Sequence, residues 1–155
     1  MIKKILLSSL LVSSVMMTAC STTSTPNSDA KVNSAVSITD KTWIVTHING
    51  EAVKTQPTDR NIPSLLLDAK QKTLSGADGC NRLIGQYTLT NTTLKFGTIG
   101  SSMMACLDEN IQRTAHLYTS ALEQVESYQA TNNTLILKDK DGKSLIQFST
   151  AVQPR

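Results

Sequence analysis

Residues 74–87 read L-S-G-A-D-G-C-N-R-L-I-G-Q-Y, and the reading of this stretch decides the fold. It holds three of the seven glycines, Gly76, Gly79 and Gly85, and one of the three cysteines, Cys80. Glycine reaches backbone angles that other residues resist and lets one chain segment approach another closely. Apolar residues flank the glycines on both sides. The stretch is therefore expected to form a fixed turn between strands, built from Gly76, Asp78, Gly79, Cys80, Asn81, Arg82 and Gly85.

Strand-like segments surround it. Residues 42–48 (TWIVTHI) are β-branched and aromatic, and Asn49-Gly50 closes them in a tight turn. Trp43, the only tryptophan, is the expected core anchor. Residues 51–63 are polar and carry Pro57 and Pro63, which predicts a loop. Residues 64–68 and 73–76 read as a strand and its return. Residues 86–90 and 93–96 alternate apolar and polar about Asn91-Thr92, the pattern of a hairpin. Residues 97–105 show no clear period, and Met103 and Met104 are expected to fill an irregular part of the core.

One helix is expected. Asp108 can cap it and Glu109 suits its positive end. Ile111, Ala115, Tyr118, Leu122 and Val125 then fall in steps of four and three, one apolar stripe opposite Gln112, Thr119 and Glu123. Residues 134–138 and 144–148 form a last hairpin about residues 139–142. Strands that follow one another through short turns pair antiparallel. The prediction is a mainly β (α+β) domain, a small curved antiparallel sheet or partly open barrel of about seven or eight strands with one covering helix.

The N-terminus reads as a separate signal. Lys3 and Lys4 precede an apolar run over residues 5–17 that is too short to span a bilayer, and small residues lead to Cys20. Met17-Thr18-Ala19-Cys20 resembles a bacterial lipobox with methionine in place of the usual leucine. The resemblance implies that Cys20 becomes an acylated N-terminus; the other reading is an ordinary cleaved signal with a chance cysteine. Two or more acyl chains anchor a protein stably to a membrane. Ser21 follows Cys20, and similarity to enterobacterial lipoprotein sorting then implies the outer membrane, periplasmic face. The expected organisation is a signal peptide at 1–19, the acylated cysteine and a Ser/Thr-rich tether at 20–37, the folded domain at 38–150 and a frayed tail at 151–155. The formal charge of +3 falls to about +1 once Lys3 and Lys4 leave with the signal. No basic stripe with interleaved aromatics occurs, so nucleic acid is not an expected partner.

No catalytic constellation stands out. His47 and His116 are far apart in sequence, no G-x-S-x-G occurs, and the chain is not expected to be an enzyme. No metal or other cofactor is expected, because there is no C-x-x-C and no histidine at ligand spacing. Cys80 and Cys106, once exported, have two open readings: a disulfide favoured by an oxidising compartment, or separate buried thiols. Asp78 and Asn81 are expected to bond local backbone and hold the turn, with Arg82 paired to Asp78; the alternative makes them a recognition site on a rigid loop. Asp139, Asp141 and Gly142 lack the further ligands of a calcium loop and read as a turn. Trp43, Leu65, Leu67, Ile84, Leu89, Met103, Met104 and Tyr118 are expected to be core, with a cavity lining as the alternative.

Taken in order, W-x-V-x-x-I-N-G from Trp43, S-G-x-x-G-C-N-R-x-x-G-x-Y from Ser75, L-x-F-G-x-I-x-S-x-M-x-A-C from Leu94 and L-x-L-x-D-x-x-G from Leu135 resemble the META domain family. More narrowly they are similar to its HslJ-like small heat-shock lipoproteins of Gram-negative bacteria. The resemblance implies a compact antiparallel β domain with one helix, similar in architecture to pilotin-type lipoproteins. The family's biochemical activity is not established; its members are associated with the envelope, stress, antibiotic tolerance and, in some cases, secretion or motility. The expected function is thus a non-enzymatic, outer-membrane-anchored periplasmic lipoprotein contributing to envelope stress or antibiotic tolerance. It would act by binding an envelope protein or a lipid. A pilotin-like secretion factor is one alternative, with an apolar groove at Ile111, Ala115, Tyr118 and Leu122. An inhibitor of a periplasmic hydrolase such as lysozyme is another, plugging an active site with residues 76–82.

Overall fold

The computed structural model describes residues 36–55 and 61–151. The signal peptide, Cys20, nearly all of the tether and most of the tail lie outside them. The described residues form ten strands and one helix: β1 (Thr42–Ile48), β2 (Glu51–Ala52), β3 (Ser64–Leu67), β4 (Thr73–Ala77), β5 (Arg82–Leu89), β6 (Leu94–Phe96), β7 (Gly100–Ser101), α1 (Glu109–Leu122), β8 (Ser127–Ala130), β9 (Thr134–Lys138) and β10 (Ser144–Thr150). Eight strands follow one antiparallel path, β6-β5-β4-β3-β1-β10-β9-β8, with the short β2 on β1 and β7 on β5. The ends of the path meet. Thr93 bridges Ser127, the Leu94 N–H donates to the Glu126 carbonyl at 3.2 Å, and Lys95 pairs with Glu126 at 2.5 Å. The result is a nearly closed barrel, as expected, with β2 and β7 as additions too short to show a period.

Side-chain alternation fills the interior. β1 turns Trp43, Val45 and Ile48 inward, and an irregularity between Val45 and His47 in the pairing with β10 accounts for the three-residue step. β9 contributes Leu135 and Leu137, and β10 contributes Ile146 and Phe148. The Trp43 Nε1–H donates to the Ile38 carbonyl at 2.9 Å, so the segment leading into the barrel is itself part of the core. Nearby, the Asp40 N–H donates to the Leu67 carbonyl and the Asp40 carboxylate accepts from the Ala69 N–H at 3.0 Å. The chain thus enters the domain at the β3–β4 turn.

Asp108 caps α1, accepting from the Asn110 and Ile111 N–H groups at 2.8 and 3.2 Å. The helix buries Ala115, Tyr118, Ala121 and Leu122 against β10 and β1. Tyr118 is fully buried, stands edge-on to Phe148 with ring centres 6.3 Å apart, and donates its hydroxyl to the Ser64 carbonyl at 3.1 Å. Burial, and secondarily the Asp78 charge, raises its pKa above the usual tyrosine value.

Three expectations are corrected. The glycine stretch is not one turn: Gly76 lies within β4 and Gly85 within β5, and only residues 78–81 turn. Gly76 is required by close approach, since a Cβ there would sit 2.1 Å from the Ser64 carbonyl oxygen across the β3–β4 ladder. Met103 and Met104 are not core; they are 100% and 54% exposed. Ile84 faces outward from β5, because strand alternation gives the inward positions to Leu83 and Tyr87.

Candidate functional site

The turn between β4 and β5 is built around a buried carboxylate. Asp78 is 2% exposed, and its Oδ1 accepts the Cys80 and Asn81 N–H groups at 2.8 and 2.6 Å. Gly79 adopts φ +103°, which only glycine takes without strain. The Asn61 side-chain amide donates to the Cys80 carbonyl at 2.6 Å. The Asp78 carboxylate, one of the groups that the sequence offers for recognition, is therefore occupied in holding the turn.

That turn holds a second segment. The Asn81 Oδ1 accepts from the Met104 N–H at 2.9 Å. The Ser102 N–H donates to the Arg82 carbonyl at 3.0 Å, and the Ser102 hydroxyl accepts from the Arg82 N–H at 3.1 Å. Cys80 and Cys106 are joined in a disulfide, with Cα atoms 6.0 Å apart. Gln112 of α1 donates to the Cys106 carbonyl. Residues 102–107 are thus clamped through main-chain groups, the Ser102 hydroxyl and one sulfur, with the helix cap at Asp108 directly after.

This clamp leaves the large side chains outside. Met103, Met104 and Leu107 are exposed at 100%, 54% and 94%. Ile84 is exposed on β5, opposite Gly100 of β7 just upstream of the loop. Among the described residues these four are the exposed large hydrophobics, and all belong to the loop or to the strand it pairs with. Such a concentration marks an interaction surface more often than scattered single residues do.

The META domain family matches residues 36–152, the whole of the barrel and this loop. The chain belongs to the META domain family. Among solved structures, the chain is similar to a protein from Burkholderia xenovorans determined by NMR, at 25% identity over 74% of this chain and 84% of that one, with a TM-score of 0.58. A second NMR structure matches at 22% identity over 70% and 87% of the two chains, TM-score 0.54. A DUF4847 family protein from Bacteroides vulgatus matches at 18% over 74% and 94%, TM-score 0.51. These last two speak to the fold alone. No match is found among curated proteins.

Within this META domain Arg82 and the groove alternative come out differently from expectation. Arg82 does not pair with Asp78; the ion pairs among the described residues are Lys95–Glu126, Arg113–Glu51 and Lys140–Asp141. Of the four helix residues expected to line a groove, Ala115, Tyr118 and Leu122 are buried in the core and only Ile111 reaches a groove. That groove, of about 550 Å³, runs between α1 and the β1–β2 hairpin. Ile48, Ala52, Ile111 and Leu117 line it, and Glu51 and Arg113 form its ion pair. The helix turns its apolar stripe inward because the open side of the barrel needs that face.

The remaining polar features are dispersed. His47 lies on β1, its Nδ1 3.1 Å from the Thr46 hydroxyl, whereas His116 is exposed on α1. Among the described residues no three His, Cys, Asp or Glu side chains gather as a metal-holding group. A hollow of about 360 Å³ beside β5 and β6 is lined by Lys72, Gln86, Tyr87, Lys95 and Phe96. The Tyr87 hydroxyl donates to the Asp68 carbonyl at 2.9 Å; burial, then the Asp40 and Asp68 charges, raises its pKa.

Sequence reasoning missed the exposure of the Met103–Leu107 surface. A signal was present: M-M-A-C-L-D has no alternation that would put two adjacent methionines on one inward face.

Proposed function

We propose that this META domain is an outer-membrane-anchored periplasmic lipoprotein of the HslJ type that supports envelope stress or antibiotic tolerance. It does so without enzymatic activity, by docking a protein partner on the apolar loop at Met103, Met104 and Leu107. The observation that carries the reading is the clamped loop itself: a disulfide and a set of main-chain hydrogen bonds hold apolar side chains out in solvent. Holding a loop rigid before binding reduces the entropy lost on association. The Cys80–Cys106 bond fits an oxidising compartment, in agreement with the signal-like residues 1–19 and the lipobox-like residues 17–20.

The test is rescue in a strain lacking its own copy. Survival of heat and of an envelope-active antibiotic would be compared for the wild type, Cys20→Ala, and Met103→Asp/Leu107→Asp at matched abundance. Loss of rescue by both variants, with the aspartate variant still folded, is the expected result. Full rescue by the aspartate variant would remove the docking role.

A further inference from the structure

We propose that Met103 and Met104 form an oxidation site, at which a peroxide converts the loop thioethers to sulfoxides and switches the docking surface off while the barrel stays folded. The switching rests on the docking role argued above; the modification itself does not.

The distribution of methionine is the first support. Of the five methionines, Met1, Met16 and Met17 lie in the signal-like N-terminus, and the other two are adjacent in the exposed loop. No methionine is among the buried core residues, which are aliphatic and aromatic. Methionine is ordinarily a core filler, and its oxidation inside a core disrupts packing. Here an oxidant meets both sulfurs at the surface. Cys80 and Cys106 are already joined, so neither offers a competing thiol.

The second support is how the loop is fastened. Met104 is held through its main-chain N–H by Asn81, Ser102 is held by Arg82, and Cys106 is held by the disulfide. None of these contacts uses a thioether. A polar group does lie near one thioether: the Asn61 side-chain nitrogen is 4.0 Å from the Met104 sulfur. One of its hydrogens goes to the Cys80 carbonyl. The other is a donor facing the Met104 sulfur, and a sulfoxide is a far better acceptor than a thioether. Oxidation of Met104 therefore gains a partner.

The step is a two-electron oxygen transfer. A sulfur lone pair attacks the distal oxygen of hydrogen peroxide and forms the S–O bond as the O–O bond breaks. The sulfur is oxidised, the peroxide is reduced, and the remaining oxygen takes the transferred proton and leaves as water. The product is polar and can be reduced back to the thioether.

The experiment treats the full-length exported protein, in detergent, with graded hydrogen peroxide and follows it by intact mass, peptide mapping and thermal melting. Met103 is expected to oxidise within about twofold of the rate of free methionine, with Met104 slower, and the melting midpoint to move by less than about 2 °C. Rescue is then assayed in the deletion strain. Met103→Gln/Met104→Gln, which gives the loop a polarity like that of the oxidised form, is expected to fail, and wild-type rescue is expected to fall as Met103 oxidises. Oxidation of Met103 about tenfold slower than free methionine, or collapse of the melt on oxidation, would overturn the site while leaving docking intact. Expected oxidation with full rescue by the glutamine variant would overturn the docking role and the switch together.

Discussion

The Asn81 side-chain oxygen accepts the main-chain N–H of Met104 at 2.9 Å, across 23 residues of sequence. This bond joins the β4–β5 turn to the exposed loop independently of the disulfide. Asn81→Ala is expected to destabilise the protein by about 1–2 kcal/mol. Hydrogen exchange should quicken at Met104 and leave β1 and β10 unchanged. Unaltered exchange at Met104 would mean that the disulfide alone holds the loop.

The disulfide closes a separation of 26 residues. Removing it with Cys80→Ser/Cys106→Ser is expected to lower stability by roughly 3–4 kcal/mol on the chain-entropy account. Urea unfolding with and without reductant measures this. The wild type should shift on reduction and the double variant should not.

Gly76 and Gly50 provide a contrast. A Cβ at Gly76 meets backbone at 2.1 Å, whereas at Gly50, with φ +86°, nothing lies within 4 Å. Gly76→Ala is expected to cost about 3 kcal/mol or more, and Gly50→Ala about 1 kcal/mol of backbone strain alone. Equal denaturation midpoints for the two variants would contradict the close approach of β3 and β4.

Leu107 and Leu122 are both apolar but opposite in environment, at 94% and 0% exposure. Leu107→Asp is expected to change stability by no more than about 0.5 kcal/mol, and Leu122→Asp to prevent folding. Circular dichroism and soluble yield separate them. A folded Leu122→Asp protein would show that the helix face is a groove after all.

Tyr118 supplies a pH dependence. Its pKa in the folded state is raised above the unfolded value of 10.0. Its contribution is therefore full below pH 10 and declines as pH rises, because the unfolded chain loses a proton that the folded one keeps. Tyr118→Phe is expected to lose about 1 kcal/mol at neutral pH with its bond to Ser64, and to fall less steeply in alkali. Parallel alkaline unfolding profiles for the two proteins would rule this out.

Much of the architecture was legible in local pattern. TWIVTHI with Asn49-Gly50, the alternation of residues 86–96 about their turn, and the four-three steps from Ile111 to Val125 each specify an element through short-range chemistry. The cap at Asp108 and the inward Trp43 follow from the same rules. The family, too, was carried by the spacing of its motifs.

Other features depended on partners distant in the chain. Gly76 reads as the junction of a return strand and a turn, and the need for glycine there shows only once β3 lies against it, because close approach is a property of two strands and not of one. Tyr118 and Leu122 read as core with a groove as the alternative; the open side of the barrel, which needs an apolar cover, decided for core. Met103 and Met104 are apolar, and composition alone assigns them inward. The disulfide to Cys80 and the hydrogen bond to Asn81 fix their backbone at the surface, so their side chains have no interior to enter. The sequence determined which segments become strands and which becomes the helix. Only the closing of the barrel decided which apolar side chains were left over, since an interior of fixed volume is filled by the side chains that strand and helix alternation deliver to it.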